Sequence, residues 1–496
     1  MRLPFTTLLF IGLSFTSALA QSVSSGKQST LRGEVEIGGL AAPSGQTPFW
    51  LRANQYGTVP LEAPFGTVRA GIARDYHHWA DSAKVRRHKF DWGFGAYAVA
   101  NAGQTNQAFL TELFGKVRYG WLELYGGRRR EVLGIGDTTL TSGFVSWSGN
   151  ALPIPKIQLH TPNFVPIGFT KGLVSIRFSY AHGWFNVPYI QGVYLHQKSL
   201  YGRFGKPNWK VRFYAGLNHQ AMWGGRADYL KGTELAVNGQ LPTSVRDYIN
   251  MVFARYPEDF YNDRYTVFDG TNRIGNHVGN YDFGLEWNGS KVNAMLYYQH
   301  MYEDDSGIAF VNFPDGLKGF RLRNRTPLDH SVFRWQGVVV ECLSTTNQSG
   351  PTFDIHAKYQ GRDNYFNHGQ YREGWSYYSH TIGTPFIAPR AELSAKAREY
   401  TGGGYFPNNR LVAWYLGFEG LLFEKVTLTA RFSASRNFGT YNQGYTPPLE
   451  QVSSLLSARI RLPRWGNTQL AASVAADRGQ LFTNTIGGYL SIRKNW

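Results

Sequence analysis

Of the 496 residues, one is a cysteine, Cys342, so no internal disulfide can hold the chain together and its stability must come from elsewhere. Past its first twenty residues it has no run near the ~20 consecutive apolar residues that a transmembrane helix requires. Carboxylates are scarce beside cations: 34 Asp and Glu stand against 51 Lys and Arg, a formal charge of +17. That balance suits anionic partners such as acidic glycans, lipopolysaccharide or nucleic acid, and says nothing about fold. Catalytic constellations are missing as well. There is no G-x-S-x-G elbow, no H-E-x-x-H and no Cys/His metal spacing. The acidic cluster Glu303, Asp304 and Asp305 could hold Ca²⁺, but it lacks the regular oxygen spacing of an EF-hand loop. The expectation is a binding protein with no enzymatic step, no cofactor and no resident metal.

What is present begins with a leader. Arg2 supplies a short basic start, Leu8 to Leu13 an apolar run, and Ala18-Leu19-Ala20 a small-residue end. This reads as a secretory signal peptide over 1–20, cleaved to leave Gln21, with 21–496 as the functional domain. Removing Arg2 leaves about +16 on the mature chain. Aromatics make up 16% of the chain and 56 residues are Gly, a composition that suits large sheets with aromatic girdles.

The dominant signal has a period of two residues. Tyr281, Phe283, Leu285 and Trp287 alternate with Asp282, Gly284 and Glu286, and after Asn288-Gly289 the rhythm resumes through Val292, Ala294, Leu296 and Tyr298. That is a hairpin with one apolar and one polar face. Similar alternation runs through Val174–Tyr180, Trp209–Leu217, Phe353–Tyr359, Val426–Ala434 and Leu470–Ala476. Several runs approach ten residues, the length of a tilted strand crossing a bilayer. A lipid-facing Arg or Lys at the bilayer midplane costs roughly 2–4 kcal/mol. The charged face must then look into a wet lumen and the apolar face out to lipid, and closure pairs every backbone group.

The expected fold is an all-β transmembrane antiparallel barrel of about 18 strands. Short turns near Asn288-Gly289, Thr345–Gly350, Gly420–Glu424 and Pro463–Asn467 alternate with longer connections at Met301–His330, Arg362–Arg410 and Asn437–Gln451. With the short turns in the periplasm, the last strand returns there, carrying Ile486, Leu490, Ile492 and Trp496 on one face. Lys494 breaks that face and snorkels to the interface. Ser244 and Asp247 form a capping box ahead of Tyr248, Ile249, Val252 and Phe253, which predicts a short helix folded into the barrel mouth.

The predicted outward loops offer rings and guanidinium groups. The candidates for sugar contact are His219, Trp223, Tyr302, Arg321, Arg323, Arg325, Arg372, Trp375, Tyr377 and Tyr378. Flat rings stack on the apolar faces of sugars, and forked guanidinium groups suit carboxylates or phosphates. Packing of these aromatics into a plug is the competing role.

Several segments then resemble a known family. PFWLRANQYG, GRRREVLGIGDTTLTSG, NALPIPKIQL, YYQHMYEDDSG with DGLKG, and NYFNHGQYREGWSY with IGTPF are similar to the capsule assembly Wzi family, in the aromatic-rich style of its Bacteroidetes branch. The resemblance implies an eighteen-stranded barrel with a closed lumen, plugged by loops and short helices. It also implies a lectin-like role: holding exported capsular polysaccharide at the cell surface. It transfers no individual binding residue. The strand count puts Arg128, Arg129 and Arg130 near the periplasmic rim, organising the lumen. Expected partners are capsular or extracellular polysaccharide, outer-membrane lipid and lipopolysaccharide, rather than nucleic acid. A diffusion channel is the alternative, since the same alternation serves a porin. A surface hydrolase with catalytic residues scattered over its loops is a third reading.

Overall fold

A computed structural model of the chain describes residues 30–77, 90–259, 262–327, 331–354, 356–400 and 402–496. The leader therefore lies outside the described residues. Eighteen wall strands close into one antiparallel barrel. In chain order they are β1 Leu31–Ala41, β2 Phe65–Arg74, β3 Phe90–Gly103, β4 Gln107–Tyr119, β5 Leu122–Arg128 and β6 Lys156–His160. Next come β7 Val174–Val187, β8 Ile190–Phe204, β9 Val211–Trp223, β10 Asn276–Asn288, β11 Val292–Tyr302 and β12 Gly316–Asn324. The last six are β13 Phe333–Ser344, β14 Leu411–Leu422, β15 Val426–Gly439, β16 Gly444–Leu462, β17 Thr468–Gly479 and β18 Thr485–Asn495. A two-residue stretch, Val165–Pro166, prolongs β6 along the same neighbour, β7. Closure is made by β1 against β18, with Ile37 opposite Ile492. Among the described residues no helix is long and apolar enough to cross a membrane.

The wall faces follow the two-residue rhythm. Ile37, Leu200, Leu285, Leu296, Leu456 and Leu490 are exposed on the outside, while Asp282, Gln299 and Glu341 are buried inside. At the end where β1 begins and β18 finishes, Tyr119, Trp121, Trp209, Trp287, Trp465 and Trp496 stand exposed. This is the aromatic girdle of a membrane interface, with that end in the periplasm. Lys494 reaches the Trp465 carbonyl at 2.8 Å, as expected of a side chain snorkelling at this rim.

The lumen is filled rather than wet at its outer end. Segments 42–64, 129–155 and 345–410 bring Trp50, Phe144, Trp147, Phe366, Trp375 and Tyr377 into one cluster with the wall residues Tyr201, Met222, Met295, Tyr297, Val339 and Tyr415. Inward polar residues, which looked like a water-facing lining, are largely used to clamp this plug. Glu341 accepts from the Thr141 hydroxyl and the Ser142 amide, each at 2.7 Å, and from the Tyr297 hydroxyl. Asp477 accepts from the Phe49 amide at 2.7 Å, and Gln299 Oε1 from the Val145 amide at 3.1 Å. A separate lumenal cavity of about 380 Å³ remains, lined in part by Trp50, Val59, Arg69, Arg431, Arg459 and Arg493.

Five expectations of topology need correction. Residues 353–359 are not a strand; those described lie in the outer segment 345–410, so Thr345–Gly350 opens a long connection instead of a short turn. Met301–His330 contains β12. Asn437–Gln451 is mostly strand, turning only over 440–443. The short β6 was not foreseen. Residues Arg128 to Arg130 sit at mid-height, Arg128 opposite Leu113 in the middle of β4, not at the periplasmic rim. Their lumenal role stands: Arg129 pairs with Glu123 and Arg130 with Glu112.

Candidate functional site

The sequence-predicted contact residues separate into three places. Arg321 and Arg323 lie on β12 facing the lumen, not in an outward loop. Arg321 is 3.6 Å from Glu286, and Arg323 Nε donates to Asp137 at 2.7 Å, tying the plug to the wall. Arg325 follows in the periplasmic turn, donating to the Gly289 carbonyl at 3.4 Å. Trp375 and Tyr377 are wholly buried in the plug. The Trp375 indole donates to the Ser146 carbonyl at 2.9 Å, and the Tyr377 hydroxyl accepts from Arg128 at 3.3 Å. None of these can reach a polymer outside.

His219, Trp223 and Tyr302 lie on the outward face of the wall near its outer end. They are covered by protein: the connection 224–275 folds down over the exterior of the barrel. Its helix, Val245–Val252, packs Met251 and Val252 against Ala221 and Trp223. The Ser244–Asp247 capping box is present as expected, but the helix lies on the outer wall and not in the mouth. This cover explains a row of histidines on a lipid-side face. His196, His219 and His277 are all buried. His277 Nε2 donates to the Ile274 carbonyl at 3.0 Å, so its Nδ1 accepts from His219 Nε2 at 2.9 Å, which fixes both tautomers. Tyr302 lies flat across Gly279, where a Cβ would come within 2.3 Å of its ring. Its hydroxyl thereby reaches the Asn218 carbonyl at 3.0 Å.

Arg372 and Tyr378 remain at the outer surface, and Arg372 lines a cleft of about 500 Å³ at the outer end. Three outer connections build it: 224–275 supplies Phe268 and Arg273, 303–315 supplies Asp304, and 345–410 supplies Asp363, His368 and Tyr405. The Arg372 guanidinium stands 5.0 Å from the Tyr229 ring and 5.4 Å from that of Tyr189. Phe268 meets His368 edge-on with ring centroids 6.3 Å apart. Asn276 Nδ2, also in the lining, is buried with no hydrogen-bond partner among the described residues. Asn367 and Asn364 are frame, not contact: Asn367 both donates to and accepts from the Phe406 backbone, and Asn364 accepts from Asn409. Sequence reasoning missed Phe268, Asn276 and His368 as contact candidates, because their grouping comes from loops distant along the chain.

Electrostatics make the cleft sensitive to pH. Glu303 lines its buried floor, and burial pushes its carboxyl well above the ordinary range even though the Phe366 amide donates to it at 2.8 Å. Burial, with Asp304 beside it, raises Asp363 to about 7. Burial drops the His368 imidazole to about 4. Because the Asp363 value is raised, its contribution to loop stability is fully present below the unfolded carboxylate pKa of about 3.9 and falls away as pH rises through about 7. Hydrogen exchange over 345–410 should therefore quicken as pH rises from 5 to 8 after correction for the intrinsic rate, and Asp363→Asn should flatten that trend.

A cleft lined by rings, amides, three carboxylates and two guanidinium groups can hold a polyhydroxylated, charge-bearing ligand. Among the described residues no group of three His, Cys, Asp or Glu side chains is placed to hold a metal ion. Asp305 is engaged with Arg273 and the Tyr256 hydroxyl.

Fold and site together define an outer-membrane β-barrel with a filled lumen and an open outer cleft. No family model matches the chain, and no curated protein matches it by sequence. Among solved structures it is similar to Escherichia coli Wzi, an outer-membrane protein involved in group 1 capsule assembly and a carbohydrate-binding β-barrel. The TM-score is 0.55 at 12% identity, over 92% of this chain and 83% of that one. OprD of Pseudomonas aeruginosa gives a TM-score of 0.44 at 9% identity, over 96% of each chain. OccAB2 of Acinetobacter baumannii gives 0.46 at 10%, over 95% of this chain and 99% of that one. At these identities the likeness is one of fold alone.

Proposed function

We propose that the protein holds an exported capsular or extracellular polysaccharide at the cell surface, binding it in the outer cleft without chemical change. The observation that carries this reading is the pairing of a packed plug with an open, ring- and charge-lined cleft directly above it. A channel needs the lumen that the plug occupies. A tether needs only the outer face. The carbohydrate binding of the Wzi barrel is consistent with this use of a shared fold. Secretion through the leader 1–20, insertion in the outer membrane and contact with lipopolysaccharide are parts of the same proposal.

Each sugar contact is weak: an aromatic pair contributes about 0.5–1.5 kcal/mol beyond its buried area. A long polymer meeting many copies of the protein compensates through effective concentration. Deleting the protein in the cell that makes it should leave polymer synthesis intact and shift polysaccharide from the cell surface to the medium. Polymer that stayed fully attached would refute the tethering role and leave the barrel untouched.

A further inference from the structure

The helix Val245–Val252 buries one side against the barrel exterior and leaves another apolar stripe bare. Tyr248, Met251 and Val252 face the wall, the Tyr248 hydroxyl meeting that of Tyr180 at 2.7 Å. Val245, Ile249 and Phe253, spaced four apart, are 77%, 46% and 61% exposed. With 3.6 residues per turn they form a stripe beside the wall-facing side. Arg246 and Asn250 occupy the opposite, polar side.

Three bare apolar side chains on a capped helix need an occupant, and the position of the helix identifies it. Lys198 on β8 donates its ammonium to the Val252 carbonyl at the end of the helix, and lies 5.8 Å from the Phe253 ring centroid. The next outward residue down that strand is Leu200, 55% exposed in the lipid-facing belt. The apolar stripe is therefore continuous with the membrane-embedded surface. Arg255, exposed, stands 5.1 Å from the Phe253 ring centroid, where a cation meets headgroup phosphates.

We propose that this helix is an interfacial lipid anchor. Val245, Ile249 and Phe253 insert at the headgroup–acyl boundary of the outer leaflet, and Arg255 faces its phosphates. An amphipathic helix lying in the plane of the boundary with its apolar side buried binds membranes in this way. Here it would fix how deep and how tilted the barrel sits, and so the height of the cleft that the same connection helps to build.

The test uses the full-length barrel in lipid bilayers. Cys342→Ser removes the native thiol, and single cysteines at 249, 253 and 250 carry nitroxide labels. Because all three sites lie at the surface, the labels should leave the fold intact; heat-modifiable migration of the barrel checks this. The labels at 249 and 253 should collide several-fold more with dissolved oxygen than with a water-soluble nickel reagent, and the label at 250 should show the reverse. Equal access of the nickel reagent to all three sites would overturn the proposal. As a second measurement, Ile249→Asp with Phe253→Asp should expose a label at 245 to the nickel reagent. If that label stayed protected from it, protein rather than lipid would be its cover, which also overturns the proposal.

Discussion

Replacing Trp375 by Ala should turn a silent barrel into a conducting one. The indole is wholly buried at the centre of the plug, with ring centroids 6.5 Å from both Trp147 and Phe185. Truncating a buried Trp costs about 3–5 kcal/mol, part of it in the cavity left behind. The wall is held by its own hydrogen-bonded ladder, so the loss falls on the plug, whose segments 129–155 and 345–410 meet at this residue. Planar-bilayer recording of unaltered protein should show no large steady current; the Trp375→Ala protein should show frequent openings. Glu341→Ala should act in the same direction by another route. It strips acceptors from Thr141, Ser142 and Tyr297 together, and each buried donor left unpaired costs about 1–3 kcal/mol. Large steady currents from unaltered protein would return the diffusion-channel reading to first place.

The second large effect concerns the cleft. Arg372→Ala together with Phe268→Ala should lower affinity for a short oligosaccharide of the cell's own capsule by about tenfold to a hundredfold. A hydrogen bond to a charged group is worth about 1.5–3 kcal/mol, and tenfold in affinity is about 1.4 kcal/mol. A short oligosaccharide is preferable because avidity along a polymer masks the loss of single contacts. Both side chains sit on outer connections and neither belongs to the wall strands, so the barrel wall should stay intact. If the sugar is acidic, raising the salt should weaken binding to the unaltered protein, and less so to the variant lacking Arg372, since exposed charges are screened over ~8 Å at physiological ionic strength.

How far the sequence carries this account depends on the scale of the interaction. The hairpin Asn276–Asn288 and Val292–Tyr302 was legible because each side chain reports its own face: Phe283 and Leu285 meet lipid while Asp282 and Glu286 turn inward. The same rule misled at Phe353–Tyr359. The described residues of that stretch pair with no strand, and a pattern of period two does not by itself supply a ladder. At Gly316–Asn324 the error ran the other way. Arg321 and Arg323 read as loop charges, but their partners, Glu286 and Asp137, come from β10 and the plug, far away in sequence.

The candidate site was legible in composition and not in membership. The segment carrying Arg372, Trp375, Tyr377 and Tyr378 was singled out for its rings, and one of the four, Arg372, lines the cleft. Trp375 and Tyr377 fill the plug instead, because a large ring gains more by burial than by waiting at the surface. His219 and Trp223 looked like loop residues beside a glycine pair. No local pattern announces that the connection 224–275 folds back over the outside of the wall.

The most direct measurement is a calorimetric titration of the unaltered protein, embedded in lipid nanodiscs at low salt, with polysaccharide isolated from the surface of the cell that makes it. Saturable binding that disappears in the Arg372→Ala, Phe268→Ala protein is the predicted result. An isotherm unchanged by those substitutions, or no heat of binding to the unaltered protein, would contradict the claim that this barrel holds glycan at its outer end.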